Sequence, residues 1–114
     1  MSKVEVTVYG LFCADTVAKP VLKIPAPGTL EFVNAIELHT GGCALNTGMA
    51  LIKLGAKVLI GGKIGMDNFG LFIRTKLKEM KIETKLLRQA KEVNTSATVV
   101  VVNNQGERSF IHNY

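Results

Sequence analysis

The sequence predicts an α/β fold in which a parallel sheet carries helices and a smaller β-sheet lies beside it. Residues 4–10 are rich in β-branched side chains and end in glycine, which is typical of a strand. An apolar helical stretch over residues 43–54 and a second strand over 57–61 follow, a spacing that favours a crossover between parallel strands. Two later strands, 95–102 and 107–112, meet at a short polar turn with no helix after them, so they need partners in another sheet.

The composition indicates a packed globular chain without nucleic acid or membrane partners. The 114 residues are 47% hydrophobic and 20% charged, a balance that disordered chains lack. The net charge of +5 comes from scattered lysines among only 6% aromatic residues, which we interpret as a solvated basic surface rather than a nucleic-acid site. No apolar run reaches the roughly 18 residues of a membrane span. Residues 1–6 lack the apolar core of a signal peptide, so we expect a cytoplasmic location.

The strands before the first helix follow from residue type and spacing. Residues 4–10 predict a central, fully buried strand. Residues 17–24 predict a short strand at an edge or bulge, because Pro20 cannot donate a hydrogen bond to a sheet. Residues 30–39 predict a half-exposed strand, and we interpret His39 at its end as a structural residue. One face of that strand carries Leu30, Phe32, Ile36 and Leu38, and the other carries Glu31 and Glu37.

The helical part contains one apolar and one amphipathic helix. The helix over residues 43–54 has Lys53 as its only charge, which predicts that it is covered on most sides, and Gly55 ends it. Asp67 is predicted to cap a second helix, whose apolar positions are Phe69, Phe72, Ile73, Leu77 and Met80. The glycines between residues 61 and 70 are interpreted as turns, and residues 83–87 as a weaker core strand.

A glycine pair at the start of the apolar helix is the best candidate for a binding site. Gly41 and Gly42 let a ligand approach the main chain closely, and the free N–H groups of the helix point back toward it. Asn46 lies about one turn into the helix, where its amide can donate and accept. Asp15 follows the first strand, at the edge of the sheet where ligands collect in α/β folds. A turn or cap residue is the other interpretation of Asp15.

Five segments in this order resemble the N-terminal signature of the ribokinase-like (PfkB) carbohydrate kinases. They are Gly-Gly-Cys-Ala-Leu-Asn at 41–46, Leu-Gly-Ala at 54–56, Gly-Lys-Ile-Gly-Met-Asp-Asn-Phe-Gly at 62–70, Thr-Ser-Ala-Thr at 95–98 and Gly-Glu-Arg-Ser-Phe at 106–110. The resemblance covers essentially the whole chain. One departure is Gly48, where the family usually has Ser, Thr or Ala.

The resemblance implies an incomplete ribokinase-like, Rossmann-type parallel sheet with a small β-sheet lid that closes over a sugar. It divides the chain 1–114 into a core, about 1–12 and 41–92, and a lid, about 13–40 and 93–114. In many relatives the lid also forms a dimer contact, so we expect a homodimer through the β lid.

The resemblance also implies roles for individual residues in binding a sugar or nucleoside substrate. Asp15 and Asn46 would bond sugar hydroxyls, and Gly41 and Gly42 would bring the backbone close. Cys13 stands where some relatives have a polar sugar-contacting residue, and Cys43 stands where ribokinases have a lysine, so the identity of the sugar stays open. For His112 and Tyr114, at the end of the lid, contact with substrate and ordinary packing remain equal alternatives.

Residue pattern alone, without the family resemblance, predicts a purely structural role for both cysteines. Cys13 and Cys43 lack the spacing of metal ligands, and a cytosolic chain keeps thiols reduced. We therefore expect two small apolar fillers rather than a disulfide or a metal site.

The sequence lacks the parts that a phosphoryl transfer needs beyond sugar binding. No Asp-Thr-x-Gly-Ala-Gly-Asp stretch, which in the family carries the catalytic aspartate and the anion hole, is present, and no P-loop or dinucleotide fingerprint matches. We therefore identify no catalytic or metal-binding residue, and expect ATP and Mg²⁺ to bind elsewhere in a larger, full-length kinase. The 114 residues are expected to be inactive alone. The alternatives are a non-catalytic small-molecule-binding or dimerisation module and, within the family, a nucleoside kinase.

Overall fold

A computed structural model describes residues 3–114, which form two sheets and two helices. Residues 1 and 2, at the start of the predicted core segment, lie outside the described residues. In the described part of the chain, no helix is long and apolar enough to cross a membrane. The elements in chain order are β1 Val6–Tyr9, β2 Cys13–Lys19, β3 Ala35–Gly41, α1 Cys43–Lys53, β4 Val58–Gly65, α2 Asn68–Glu79, β5 Leu87–Ala90, β6 Ala97–Val102 and β7 Arg108–Asn113.

The body of the fold is a parallel sheet with strand order β1-β4-β5. The parallel pairing confirms the prediction from the helix–strand spacing. The prediction that the first strand is central and fully buried is wrong for the described residues. There β1 pairs with β4 alone, and its side chains alternate between half-buried and exposed, with Tyr9 66% exposed. Successive side chains of a strand point to opposite faces, and α1 packs on only one face of β1, so burial alternates along the strand.

The second sheet, which we call the lid sheet, has strand order β3-β2-β6-β7. Its central pair, β2 and β6, is parallel, and the two outer pairs are antiparallel. The expectation that the late hairpin joins the strands between residues 17 and 39 is confirmed. The strand predicted from residue 17 begins four residues earlier, at Cys13, and ends before Pro20, because proline has no N–H to donate to β3 or β6.

The hydrophobic core joins the body to the base of the lid sheet. Phe12 and Ala14, at the start of β2, are fully buried in the same cluster as residues of both helices and of β4. The backbone N–H of Ala14 donates to the Ser96 carbonyl, 3.0 Å away, where β6 begins. The lid sheet is therefore anchored in the body's core at the same end where β2 and β6 start. The full cluster is Phe12, Ala14, Ala44, Leu45, Ile60, Ile64, Ile73 and Leu77.

Helix α1 is buried on one face only, which contradicts the expectation that it is covered on most sides. Ala44, Leu45 and Gly48 are buried, whereas Leu54, just past its end, is 83% exposed. The helix packs against β1 and β4, and nothing else in the described residues lies on its outer side. A Cβ at Gly48 would overlap the side chain of Ile60 on β4, so the departure at Gly48 reflects close contact between helix and strand.

The prediction that the glycines between residues 61 and 70 form turns is wrong. Gly61, Gly62 and Gly65 lie inside the long strand β4, and Gly70 lies in α2. A Cβ at Gly62 would lie 2.7 Å from the carbonyl oxygen of Gly10, and one at Gly61 would overlap the ring of Tyr9. Neighbouring atoms thus occupy the space that a side chain would need. The prediction of α2 with Asp67 as its N-cap is confirmed, and β5 begins at Leu87, later than the predicted 83–87.

Candidate functional site

The glycine pair forms the junction between β3 and α1. Gly41 ends the strand, and Gly42 is the N-cap of the helix with φ of 100°, a backbone conformation that favours glycine. A Cβ at Gly42 would lie 2.8 Å from the carbonyl carbon of Leu11 and overlap its oxygen. The first helical turn is closed by the N–H of Asn46, which donates to the Gly42 carbonyl at 2.9 Å. No side chain caps this helix end.

Asp15 lies inside β2 of the lid sheet rather than in a turn or at a helix cap. Its neighbours in register are His39 on β3 and Thr98 on β6. The side chain reaches along the sheet to the glycine pair, where a Cβ added to Gly41 would lie 3.0 Å from the Asp15 carboxyl carbon. The structure therefore brings Asp15 and Gly41, which are distant in the sequence, into contact.

Cys13 is buried, and its thiol forms a hydrogen bond with Asp15. Its Sγ lies 3.2 Å from Asp15 Oδ1 and 3.2 Å from Thr98 Oγ1. Burial raises the pKa of the Cys13 thiol to about 11, and the neighbouring Asp15 adds to this rise while the Thr98 hydroxyl opposes it. At neutral pH the group is thus a protonated thiol that donates to the carboxylate. The interpretation of Cys13 as a plain apolar filler is wrong, and Cys43, at the first position of α1, is exposed rather than buried.

Asp15 lines a cleft of about 430 Å³ on one face of the lid sheet. Side chains from all four strands contribute, because residues in register on neighbouring strands point to the same side. Val17, Val100 and Phe110 form its apolar floor. The remaining lining residues are Lys19, Glu37, His39, Val102, Gly106 and Arg108. A surface of this kind, apolar with polar groups at its edges, suits a small polar molecule.

One side of the cleft carries a surface ion cluster on β2 and β3. Glu37 Oε1 lies 2.8 Å from Lys19 Nζ and 3.2 Å from His39 Nε2. Hydrogen bonds from Lys19 and then from His39 lower the pKa of the Glu37 carboxyl. The interpretation of His39 as a structural residue agrees with this pairing. The cluster fixes the charge at one end of the cleft, whereas the other carboxylate that lines it, Asp15, accepts from the Cys13 thiol.

The other candidates lie outside the cleft. Asn46 is exposed on α1 and is not among the residues that line it. His112 Nδ1 lies 2.8 Å from Thr98 Oγ1, and its ring meets the ring of Tyr114 edge to face at 5.8 Å between centroids. Tyr114 is 92% exposed. Neither His112 nor Tyr114 packs in a core, and His112 is connected to Asp15 through the buried pair Thr98 and Cys13.

Hydrogen bonds between Asp67 and Thr95 give a structural role, without a ligand, to two of the segments that resemble the family signature, 62–70 and 95–98. Asp67 Oδ1 accepts from the Gly70 N–H at 2.8 Å and from the Thr95 hydroxyl at 2.6 Å, and Oδ2 accepts from the Thr95 N–H at 2.8 Å. Gly65 N–H donates to Thr95 Oγ1 at 2.9 Å. Burial opposes ionisation of Asp67, but the hydrogen bonds from Thr95 and Gly70 outweigh it and lower its pKa. This cluster fastens the start of α2 to the segment leading into β6.

Sequence reasoning missed Thr98 and Phe110 as members of the site. Both lie in segments recognised as strands, but their faces depend on which strands pair. The available signal was Thr98 itself, a polar residue directly before four consecutive valines. A polar side chain that is buried with such a strand, as Thr98 is, needs a hydrogen-bond partner.

Comparison with known proteins decides the family. The model of the pfkB family of carbohydrate kinases matches residues 3–113. The chain belongs to this family. Its curated relatives include a fructokinase of Vibrio alginolyticus, 37% identical over 70 residues, and a ribokinase of Mus musculus, 28% identical over 99 residues. These alignments cover 61% and 87% of this chain, but the chain spans only 23% and 31% of the two relatives' lengths.

Solved structures of pfkB-type kinases share the fold. The ribokinase of Giardia lamblia superposes with a TM-score of 0.81 at 22% identity, over 98% of this chain and 33% of that protein. A nucleoside kinase of Methanocaldococcus jannaschii, an archaeal member of the ribokinase family, gives 0.77 at 22% identity, over 95% and 36%. These likenesses confirm the α/β fold with a parallel sheet and a second sheet.

The pfkB family uses ATP, and the resemblance also implied Mg²⁺. Among residues 3–114, no group of three or more His, Cys, Asp or Glu side chains is placed to hold a metal ion. We assign no reaction step through a metal to these residues.

Proposed function

We propose that this chain is the sugar-binding and lid part of an ATP-dependent carbohydrate kinase, which transfers a phosphoryl group to a sugar hydroxyl. In this proposal the chain holds the sugar, and the ATP-binding and catalytic-base segment is supplied by other parts of a larger kinase. The observation that carries it is the Asp15 carboxylate, fixed against Gly41 at the edge of an open cleft.

The chemistry of this arrangement suits a polyol. An ionised carboxylate accepts strong hydrogen bonds from hydroxyl groups, and two adjacent hydroxyls of a sugar can share its oxygens. The apolar floor around Phe110 gives the C–H face of a sugar ring a surface to pack on. Holding the acceptor hydroxyl in one orientation is a large part of what a kinase contributes, because phosphoryl transfer depends mainly on positioning and electrostatics.

Within the family, a sugar and a nucleoside are both candidate substrates. Fructokinases and ribokinases are among the relatives, and a nucleoside kinase is among the similar structures. Asn46 remains a proposed second contact to a hydroxyl, reached when a guest extends from Asp15 past the glycine pair toward α1.

Ligand binding by the chain itself tests the proposal. The melting temperature is measured with fructose, ribose and adenosine in turn. A ligand that binds the folded chain at about a hundred times its Kd raises the melting temperature by on the order of 10 °C. Asp15→Asn is expected to abolish the shift, because an amide replaces the acceptor carboxylate. The matched control, Glu92→Gln at an exposed position outside the cleft, should retain it. The absence of a shift with every polyol and nucleoside would contradict the proposal.

We further propose that the 114 residues do not transfer phosphate without additional segments. A coupled assay of the chain with ATP, Mg²⁺ and the sugar that gives the largest shift should read no turnover. Measurable turnover that is lost in Asp15→Asn would overturn this part while supporting the sugar-binding role.

A second candidate, a non-catalytic dimerisation module, is favoured by one observation. The lid-sheet face opposite the cleft is apolar and open to solvent. It includes Ile36 at 70% and Ile111 at 71% exposure, together with Leu38 and Val99. Exposed apolar sheet faces of this kind mark association surfaces. A homodimer through the lid is compatible with both candidates, and only the sugar-binding test separates them.

A further inference from the structure

A continuous chain of hydrogen bonds crosses three strands of the lid sheet and ends at Asp15. Asp15 Oδ1 lies 3.2 Å from Cys13 Sγ, Cys13 Sγ lies 3.2 Å from Thr98 Oγ1, and Thr98 Oγ1 lies 2.8 Å from His112 Nδ1. Cys13 and Thr98 are buried, so water does not compete for these contacts. The two ends of the chain, Asp15 and His112, are more accessible than its middle.

The number of available hydrogens fixes which group donates and which accepts in each of these hydrogen bonds. With Asp15 ionised, its contact with Cys13 needs the single thiol hydrogen. The third contact of Sγ, to the Ala14 carbonyl, is longer at 3.8 Å and competes poorly for it. Sγ must then accept from the Thr98 hydroxyl, which has one hydrogen as well. Thr98 Oγ1 is therefore left to accept, and the donor can only be a hydrogen on His112 Nδ1.

The reverse direction fails on the same count. If His112 Nδ1 accepted from Thr98, the thiol hydrogen would have to serve both Thr98 and Asp15. One of the two 3.2 Å contacts of Sγ would then bring two acceptors together. A buried contact without its hydrogen is costly, and most costly beside a carboxylate.

We propose that Cys13 is a positioning residue that holds the Asp15 carboxylate in place, and that the same chain locks neutral His112 in the tautomer with hydrogen on Nδ1. The opposite ring nitrogen, Nε2, is then an acceptor. The Asp15 carboxylate, held in place, presents only acceptors to the cleft, so the cleft selects guests by their hydroxyl donors. This last step rests on the proposed function, whereas the tautomer and the role of Cys13 in fixing it do not.

The histidine tautomers can be measured directly. In ¹⁵N-labelled chain at a pH where both histidines are neutral, two-bond ¹H–¹⁵N correlation spectra distinguish Nδ1–H from Nε2–H. His112 is expected as Nδ1–H. His39, the other histidine of the sequence, is the internal control, because its Nε2 faces Glu37 Oε1 at 3.2 Å and should carry the hydrogen. Opposite tautomers for the two histidines support the proposal. Finding His112 as Nε2–H overturns it.

Variants of Cys13 separate positioning from packing. Cys13→Ser keeps one donor and one acceptor, so His112 should stay Nδ1–H. Cys13→Ala removes both, which frees the Thr98 hydroxyl and should convert His112 to a mixture of tautomers. If Cys13→Ala does not fold, Thr98→Val, of the same shape, interrupts the chain at the next residue. An unchanged His112 signal in a folded Cys13→Ala or Thr98→Val variant overturns the proposal.

The same variants test the link to binding. For the polyol that binds best, Cys13→Ala should weaken affinity by about tenfold, as expected for loss of a hydrogen bond to a charged group, and Cys13→Ser should restore most of it. Equal affinity in Cys13→Ala and the parent overturns the positioning role. If no polyol binds the parent chain, the proposed function fails, and the tautomer measurements still decide the inference about Cys13.

Discussion

The carboxyl group of Asp15 lies directly against the α-carbon of Gly41, on a different strand, at a distance that leaves no room for a side chain. Gly41 is buried and its backbone is extended, so the requirement for glycine here comes from the neighbouring carboxylate and not from backbone strain. The two residues therefore act as one structural unit: the missing side chain of Gly41 is what allows Asp15 to occupy its position.

Gly41→Ala is expected to displace Asp15 while leaving the fold intact. The added Cβ would overlap Asp15 Oδ2, and the end of an aspartate side chain can rotate away at little cost. Polyol affinity, measured by calorimetry, should fall at least tenfold, with a small change in the denaturation midpoint. Combined with Asp15→Ala it should cause no further loss, because both changes remove the same contact. Additive losses would show that Gly41 acts independently of Asp15.

Gly48→Ala should destabilise the protein although alanine is the better helix former. Alanine gains about 1 kcal/mol in helix propensity over glycine. Its Cβ, however, would overlap the Ile60 side chain in a close-packed core, and such overpacking costs about 1–3 kcal/mol. Urea denaturation should show a net loss that Ile60→Val partly relieves in the double variant. Thr47→Ala, on the exposed side of the same helix, is the control. Stabilisation by Gly48→Ala would contradict the contact.

The Asp67 cluster predicts how stability depends on acid. The folded-state pKa of Asp67 lies below its ordinary value of 3.8, so its contribution is present above pH 3.8 and is lost as the pH falls through the lowered folded value. Asp67→Asn keeps the shape but cannot accept all three hydrogen bonds. It should lower the free energy of unfolding at pH 7 by about 1–3 kcal/mol and flatten its dependence on pH below 4.

Urea titrations of the Asp67→Asn variant and the parent at pH 7 and pH 3 measure this difference. Glu92→Gln, at an exposed position, serves as the control and should change neither value. An Asp67→Asn variant that matches the parent at pH 7 would show that these hydrogen bonds add nothing to stability.

Ile111→Lys should disrupt self-association if the apolar lid face is a dimer contact. Ile111 lies in register with Val99, which is in turn in register with Thr16, on the face away from the cleft. A charge in the middle of an apolar interface loses its hydration without gaining a partner. Analytical ultracentrifugation at micromolar concentration should give a dimer for the parent and a monomer for the variant. Leu54→Lys, at a position that is also strongly exposed but lies next to α1, should remain dimeric. A monomeric parent protein would contradict the predicted dimer contact.

The local chemistry of the sequence was enough to predict most of the elements and the family. Alternating and β-branched runs predicted the late hairpin, helical spacing predicted α2, and Asp67 was recognised as its cap, because each depends on neighbours a few residues away. The order of the glycine-containing segments predicted the pfkB family, which the comparison with known proteins confirmed.

What only the tertiary structure decided was which distant residues touch. Asp15 and Gly41 are 26 positions apart, and Cys13 and Thr98 are 85 apart, so no spacing rule relates them. The glycines of β4 looked like turns because the groups that crowd them are distant in the sequence. The ring of Tyr9 and the carbonyl of Gly10 each lie 52 positions before the glycine that they contact. Cys13 looked like an apolar filler for the same reason. A thiol becomes a hydrogen-bond donor to a carboxylate only when strand pairing and register place the two side by side.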